Sequence, residues 1–419
     1  MISTNDVEPL VSTPAVEIFY VFGRLPKVER QRSGDLFPTD RPLPASQMIG
    51  RDADVRNIVT MLEGGANVVV AGARRTGKTS VCDAALLRAQ RHGLYTVGVD
   101  LFRIPTAAQL AETLVAKAVA NRPPLKRLVH ATRRAGRFAG EVAERTLTLK
   151  AQAELGEEIE IAFRPGLADR DPGRYLEYAL ELPNRIAKAD GKHAIVFFDE
   201  FQEVANPRKP YGEPDEITKR MRSIFQRSDE CSYLFAGSVE HLLRELFGPS
   251  SRAFSQFGSF YDLRPIALDA WHEGLQDRFE ADGCTLEAGA VERIVELGEQ
   301  HPRATMLIAQ RTHLTSIMLD TRTIDLVLVQ QGYDGAFEGD RPVNEQSVEQ
   351  IRRLHKLALV VARRIAAGDA PHAGLNASES YRAVKSLHDA GLVESSGPRR
   401  WRIVNPLLAR YLRELEPLG

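Results

Sequence analysis

The stretch NVVVAGARRTGKTSV, residues 67–81, places a run of valines directly before a loop rich in glycine. Three β-branched residues in succession predict a short strand that is buried on both faces. The segment SVCDAALLRAQ, residues 80–90, follows the loop and has the apolar spacing of a helix. Residues 72–79 match the pattern G-x-x-x-x-G-K-[ST], in which backbone N–H groups and the positive end of a helix converge on one anion. This stretch therefore predicts a phosphate-binding loop between a strand and a helix.

The residue types of this loop each have a physical reason. A glycine has no Cβ that would block the approach of the backbone to a phosphate. Lys78 supplies a point charge to the outer phosphates, and Thr79 supplies a hydroxyl ligand for Mg²⁺. Arg74 and Arg75 either contact a neighbouring subunit or are solvated or packed side chains. The predicted nucleotide-binding residues of the loop are Gly72, Ala73, Arg74, Arg75, Thr76, Gly77, Lys78, Thr79 and Ser80.

A second segment, HAIVFFDEFQ at residues 193–202, ends an apolar run in two acids. In a parallel sheet such acids emerge at the carboxyl end of their strand, beside the phosphate loop. We expect Asp199 to hold Mg²⁺ through its water shell, and Glu200 to orient and help deprotonate the water that attacks the phosphate. The two segments together predict hydrolysis of a nucleoside triphosphate.

The composition is that of a globular protein without a strong charge. The 419 residues are 43% hydrophobic and 26% charged, with a net charge of −1, so overall charge gives no attraction to nucleic acid. The three cysteines follow no metal or redox spacing, which favours a reducing compartment. The N-terminus lacks the features of a signal peptide, and no apolar run approaches membrane-spanning length. We therefore expect a cytoplasmic protein with no membrane contact.

The order of apolar runs predicts an α/β fold with a parallel sheet. The runs NVVVA, YTVGVDL, HAIVFF and SYLFAG, with a weaker fifth run SFYDL, alternate with helical stretches. We predict an N-terminal arm or linker over residues 1–46 and an ATPase core over 47–267. A wholly helical segment over 268–335 and a winged-helix domain over 345–419 complete the predicted organisation.

Two segments carry local positive charge. Within a predicted insertion at about 121–165, residues 121–150 have a net charge of +6, and alternating apolar residues then predict a β-hairpin. Residues 345–419 contain twelve Lys or Arg against eight Asp or Glu, a net of +4. This second segment predicts three helices followed by two short strands in LVESSGPRRWRIV, residues 392–404. Its charge suits phosphate contacts on DNA and equally a solvated surface that docks a protein.

These motifs resemble the AAA+ superfamily, and within it the archaeal-type ATPase family of prokaryotes. That family is related to the STAND signalling ATPases and to archaeal replication-origin initiators. The strings that carry the resemblance are MIGRDADV, VVVAGARRTGKTSV, IVFFDEFQEV, YLFAGSVEHLL and LGEQHPRATMLIAQ, in the family's order and over about residues 48–318. The resemblance implies a P-loop ATPase core, a helical lid and a C-terminal winged helix.

The resemblance also implies roles for residues outside the two main motifs. Ser238 matches the first sensor position near the γ-phosphate, where many AAA+ proteins carry Asn. Arg303 matches the second-sensor arginine at the start of a lid helix. Gly50 and Arg51, with Ile49 before them, match the segment that lines the adenine pocket.

An arginine finger is the remaining role that the resemblance implies. Arg252, between the fourth and fifth strands, occupies a position where such a finger often lies, and Arg264 is an alternative. An arginine there is also commonly an ion-pair residue of a surface or interface.

Three functions are compatible with the sequence. The first is an AAA+ ATPase that hydrolyses ATP with Mg²⁺ and moves its lid and winged helix against DNA or a protein partner, with a homo-oligomer as one arrangement. The second is a slow nucleotide-dependent switch of the STAND type. The third is a DNA-binding regulator with a structural nucleotide. GTP remains an alternative to ATP, because base selectivity depends on the shape of the pocket.

Overall fold

The computed structural model describes residues 31–72, 75–122, 171–206, 213–238, 240–248, 254–397 and 400–415. The predicted insertion at about 121–165, apart from its first two residues, and the first 30 residues lie outside these ranges. Ala73, Arg74 and Arg252 lie outside them as well. Within the described part, none of the helices has the length and apolar composition that spanning a lipid bilayer requires.

The helices of the described residues are numbered in chain order. They are α1 (Ser33–Leu36), α2 (Asp52–Glu63), α3 (Lys78–Arg91), α4 (Ala107–Asn121), α5 (Pro172–Ala189), α6 (Pro214–Gln226), α7 (Glu240–Phe247), α8 (Leu268–Ala281), α9 (Ala290–Leu297), α10 (Pro302–Met318), α11 (Leu326–Gly339), α12 (Arg341–Leu354), α13 (Ala358–Ala367), α14 (Ala377–Asp389) and α15 (Pro406–Glu414).

Five parallel strands form the central sheet. They are β1 (Val68–Ala71), β2 (Tyr95–Asp100), β3 (Ala194–Asp199), β4 (Cys231–Ala236) and β5 (Ser259–Asp262). Their spatial order is β2-β3-β4-β1-β5, so β4 separates β1 from β3. Because all five run in one direction, the phosphate loop after β1 and the acids after β3 emerge at the same edge.

Both faces of this sheet are buried. Along β1, Val69 contributes to one hydrophobic cluster, whereas Val68 and Val70 contribute to another. In the same way, Phe198 of β3 packs into the first cluster and Phe197 into the second. The alternation follows from the two-residue period of a strand. The α/β class and the parallel sheet predicted from the apolar runs are confirmed.

Residues 268–339 form a helical unit with its own core. Helices α8 to α11 enclose Trp271, Leu275 and Phe279, each 1% exposed or less. A pair of two-residue parallel strands, β6 (Thr285–Leu286) and β7 (Thr323–Ile324), ties α8 to the α10–α11 turn. These short strands were not apparent from the helical pattern of the sequence, because two residues are too few to show a period.

The segment before the sheet packs against this helical unit. Phe37 is fully buried, with its ring centroid 4.8 Å from that of Phe279. Ser33 Oγ is hydrogen-bonded to His313 Nδ1 at 2.8 Å, and His313 Nε2 is paired with Asp282 Oδ2 at 3.0 Å. These hydrogen bonds give all three buried polar side chains a partner in an apolar surrounding. They also hold the beginning of the described residues against the helical unit.

The C-terminal residues form a third packing unit. Helices α12 to α14 precede an antiparallel hairpin of β8 (Val393–Gly397) and β9 (Arg400–Ile403), and α15 follows the hairpin. Apolar residues from the four helices and both strands share one cluster. The order of three helices and a hairpin is the predicted one, and α15 is an addition to it.

We expect Phe37→Ala to destabilise the protein by about 3–5 kcal/mol, because truncation leaves a cavity against Phe279. Thermal melting of the full chain should show the loss as a lower Tm. Phe102→Ala is the matched control, since Phe102 is 70% exposed, and its effect should stay within about 0.5 kcal/mol. Equal effects of the two variants would contradict the packing of the N-terminal segment.

Candidate nucleotide-binding site

The phosphate loop connects β1 to the first turn of α3. Gly77 immediately precedes α3 and has φ 91°, and Gly72 has φ 150°. A Cβ on Gly72 would lie 3.3 Å from Thr76 Oγ1. A side chain at either position would therefore strain the backbone. The N-terminal turn of α3 presents its N–H groups to the loop, which is the arrangement that stabilises an anion.

Lys78 and Thr79 join the loop to the acidic strand. Lys78 Nζ donates a hydrogen bond to the carbonyl oxygen of Gly72 at 2.8 Å. Thr79 Oγ1 donates to Asp199 Oδ2 at 2.8 Å. A hydroxyl and a carboxylate this close are the hard oxygen donors that Mg²⁺ prefers, so these two groups fit the predicted metal ligands.

Asp199 is buried at the carboxyl end of β3, with 7% of its surface exposed. Burial raises the pKa of its carboxyl group to about 6. The hydrogen bond from Thr79 opposes this rise, and the neighbouring Glu200 carboxylate adds to it. Ionisation of the Asp199 carboxyl group therefore costs free energy, and a nearby cation would lower that cost.

Glu200 has a left-handed backbone with φ 51° and ψ 44°, which is uncommon for a residue with a Cβ. Its Oε2 accepts hydrogen bonds from the backbone N–H of Ser238 at 3.0 Å and from Ser238 Oγ at 2.8 Å. The structure therefore brings the predicted first-sensor residue into contact with the predicted catalytic acid. The two residues come from the ends of adjacent strands, β3 and β4.

The segment before α2 braces the loop. Gly50 has φ 62°, and a Cβ there would lie 2.8 Å from Ile266 Cγ2. Arg51 is 5% exposed, and its guanidinium donates to the carbonyl oxygens of Arg264 at 2.8 Å and Thr76 at 3.4 Å. Arg51 thus connects the phosphate loop to the segment that leads from β5 into the helical unit.

An apolar cavity adjoins the loop on this side. It is lined by Ile49, Ile266, Trp271 and Met306, with Gly77 at the edge toward the loop. Apolar and aromatic walls beside a few polar groups suit a flat heterocyclic ring. The cavity is lined by Ile49 and Arg51, and the base pocket that the resemblance implies for residues 49–51 stays a prediction.

Two solved structures are similar to this chain over most of its length. The Walker-type ATPase of Pyrococcus abyssi matches with a TM-score of 0.63 and 16% sequence identity, over 90% of this chain and 99% of that one. The ORC2 protein of Aeropyrum pernix, in ADPNP–ADP complexes, matches with a TM-score of 0.55 and 15% identity, over 90% of this chain and 95% of that one. At these identities the likeness shows a shared fold, the parallel α/β fold of these two proteins. No protein-family model and no curated protein matches its sequence.

Some predicted site residues make contacts away from the phosphate loop. Arg303, the predicted second sensor, forms a two-pronged ion pair with Asp340 at 2.8 and 3.0 Å. Ser80 Oγ accepts a hydrogen bond from the backbone N–H of Leu43 at 2.8 Å. Arg75 lies in the loop with φ 62° and an exposed side chain. Ser80 thus anchors the N-terminal segment, and Arg303 anchors the end of the helical unit.

A second cavity adjoins the loop and involves residues that the sequence did not indicate. Its volume is about 330 Å³, and its walls include Gly72, Thr76, Arg264 and, from the C-terminal hairpin, Glu394 and Arg402. Arg402 is paired with Glu394 at 2.6 Å. The arginines near the hairpin turn led to the prediction of a basic surface. Nothing in the sequence indicated that one of them would line a cavity beside the phosphate loop, because the two segments are far apart in the chain.

We expect Asp199→Asn to raise the free energy of unfolding at pH 8 by about 2–3 kcal/mol in protein freed of metal and nucleotide. The folded-state pKa of about 6 lies above the unfolded value of about 3.9, so the folded state binds the proton more tightly. Stability therefore falls as pH rises from about 4 to 6, and the full cost is present above pH 6. The variant removes that cost, so its free energy of unfolding should exceed that of the wild type at pH 8 and equal it near pH 4.

Urea unfolding in EDTA at pH 4.5, 6 and 8 measures this difference. Asp229→Asn is the control, because Asp229 is exposed in the turn before β4. If Asp199→Asn raises the free energy of unfolding equally at all three pH values, burial of the charge is not the source of the increase.

Proposed function

We propose that this protein binds ATP with Mg²⁺ and hydrolyses it, and that nucleotide state moves its helical unit and C-terminal unit against DNA or a protein partner. The observation that carries the proposal is the contact between the phosphate loop and the acidic strand, with Thr79 Oγ1 2.8 Å from Asp199 Oδ2. Three buried cysteines without a disulfide suit the reducing cytoplasm.

In the proposed mechanism, the loop N–H groups and Lys78 bind the β- and γ-phosphates. Thr79 and Asp199 hold Mg²⁺, which supplies charge neutralisation on the phosphate oxygens when bound. Glu200 orients the attacking water and accepts its proton. Ile49, Trp271 and the residues around them enclose the base. Positioning and charge neutralisation account for most of the rate enhancement of such a reaction.

We expect Glu200→Gln to retain ATP and to lower its hydrolysis by about 10²-fold or more, because the amide cannot accept the proton from water. Lys78→Ala should weaken ATP binding, since it removes the point charge on the outer phosphates. Binding of a fluorescent ATP analogue and release of phosphate measure the two effects. Lys188→Ala, at an exposed site on α5, should change neither. Unchanged hydrolysis in Glu200→Gln would remove Glu200 from the mechanism.

A slow nucleotide switch is the second candidate function, and the cavity of about 330 Å³ favours it. The C-terminal hairpin supplies Glu394 and Arg402 to a cavity that the phosphate loop also lines. A hairpin in this position hinders nucleotide release and moves when the loop changes its contacts. Turnover per subunit that is very low and independent of protein concentration supports the switch. Turnover that rises with concentration supports an ATPase completed by an arginine from a neighbouring subunit.

We expect Arg402→Ala to speed ADP release several-fold, because the variant breaks the 2.6 Å pair with Glu394 and opens one wall of the cavity. Stopped-flow displacement of fluorescent ADP measures the rate. Arg400→Ala is the control, since Arg400 lies on the same strand but does not line the cavity. Equal release rates for the two variants would remove the hairpin from nucleotide retention.

A further inference from the structure

All the hydrogen bonds that hold the Glu200 carboxylate in the described structure involve one of its two oxygens. Its Oε2 accepts three hydrogen bonds, from the backbone N–H of Ser238, from Ser238 Oγ and from Gln202 Nε2. Among the described residues, no group donates a hydrogen bond to its Oε1. Since all three donors bind Oε2, Oε1 is the carboxylate oxygen that can accept a hydrogen bond from water.

Gln202 is itself held in place by packing. It lies in a 3₁₀ turn, Phe201–Ala205, and is 6% exposed. Phe201 beside it is fully buried, with its ring centroid 4.6 Å from that of Phe235 and 5.2 Å from that of Phe254. A side chain anchored this way loses little further conformational freedom when it donates its hydrogen bond.

Gln202 occupies space that is available because Gly237 has no side chain. A Cβ built on Gly237 would lie 2.0 Å from Gln202 Oε1 and 3.1 Å from a methyl carbon of Leu243. The φ angle of Gly237 lies outside the left-handed region, so close approach, and not backbone conformation, requires glycine here. Gln202 Oε1 is buried and has no hydrogen-bond partner in the described part of the chain, which is a cost that packing alone does not explain.

We propose that Gln202 is a positioning residue that fixes the Glu200 carboxylate so that Oε1 faces the attacking water. The inference rests on the proposed ATP hydrolysis and names a further residue of that site. The left-handed backbone of Glu200 aims its side chain toward Ser238, and the amide of Gln202 adds the third donor. Leucine has nearly the same volume as glutamine but no N–H group, so it fills the space without fixing the carboxylate.

The experiment compares Gln202→Leu, Gly237→Ala and Glu200→Gln in the full chain. Each is assayed for affinity for a fluorescent ATP analogue and for the single-turnover rate of hydrolysis at saturating ATP. We expect Gln202→Leu and Gly237→Ala to lower the rate about 10- to 100-fold, as misplacement of a catalytic group does, and to leave ATP affinity within about twofold. Gln276→Ala removes a similar but solvent-exposed glutamine-to-glutamate hydrogen bond on α8 and should leave both quantities unchanged.

A double variant separates positioning from a structural role. If Gln202 acts through Glu200, Gln202→Leu should cause no further loss of rate in the Glu200→Gln background. A further loss there, a normal rate in the single variant, or an equal loss of ATP affinity overturns the inference. Gly237→Ala provides the same comparison if Gln202→Leu does not fold.

The same measurements distinguish the two proposals. A wild-type protein that binds ATP but does not hydrolyse it contradicts the proposed hydrolysis and the inference with it. Hydrolysis that Glu200→Gln abolishes and Gln202→Leu leaves intact contradicts the role of Gln202 alone.

Discussion

The hydrogen bond from Thr79 to Asp199 is the contact on which the site depends. It joins two residues that are 120 positions apart in the chain. The bond forms because β1 and β3 run parallel in one sheet, with β4 between them, and because residues beyond their carboxyl ends share one edge. A sheet that placed β3 far from β1 would leave Asp199 out of reach of Thr79.

The cost of this arrangement is concentrated in two neighbouring residues. Asp199 is buried with a pKa raised to about 6, and Glu200 has a left-handed backbone. Neither feature stabilises the isolated fold, since one buries a charge and the other strains the chain. Under the proposed function, a bound cation offsets the cost of the buried Asp199 charge. The aromatic cluster around Phe201 and the hydrogen bonds of Ser238 keep the pair in position.

Connections around the loop come from every packing unit of the described chain. The N-terminal segment reaches Ser80 through Leu43, and Arg51 connects Thr76 to the segment after β5. The C-terminal hairpin contributes Arg402 to the cavity beside Gly72. The phosphate loop therefore lies beside the segment that leads into the helical unit and beside the C-terminal hairpin, and these belong to the two parts that the proposed function requires to move. The pairing of Arg303 with Asp340 ties the start of α10 to the junction between α11 and α12, and the role of Arg303 in nucleotide binding stays a prediction.

The sequence by itself determined the parallel sheet, the phosphate loop and the acidic pair. These features are local, since a run of β-branched residues, a glycine pattern and a strand-end acid each lie within about ten residues. The tertiary structure alone decided the contact of Ser238 with Glu200, the space that Gly237 leaves for Gln202, the burial of Phe37 and the position of Arg402. Each of these depends on strand order or on packing between units that are distant in sequence, and a local pattern contains no information about either.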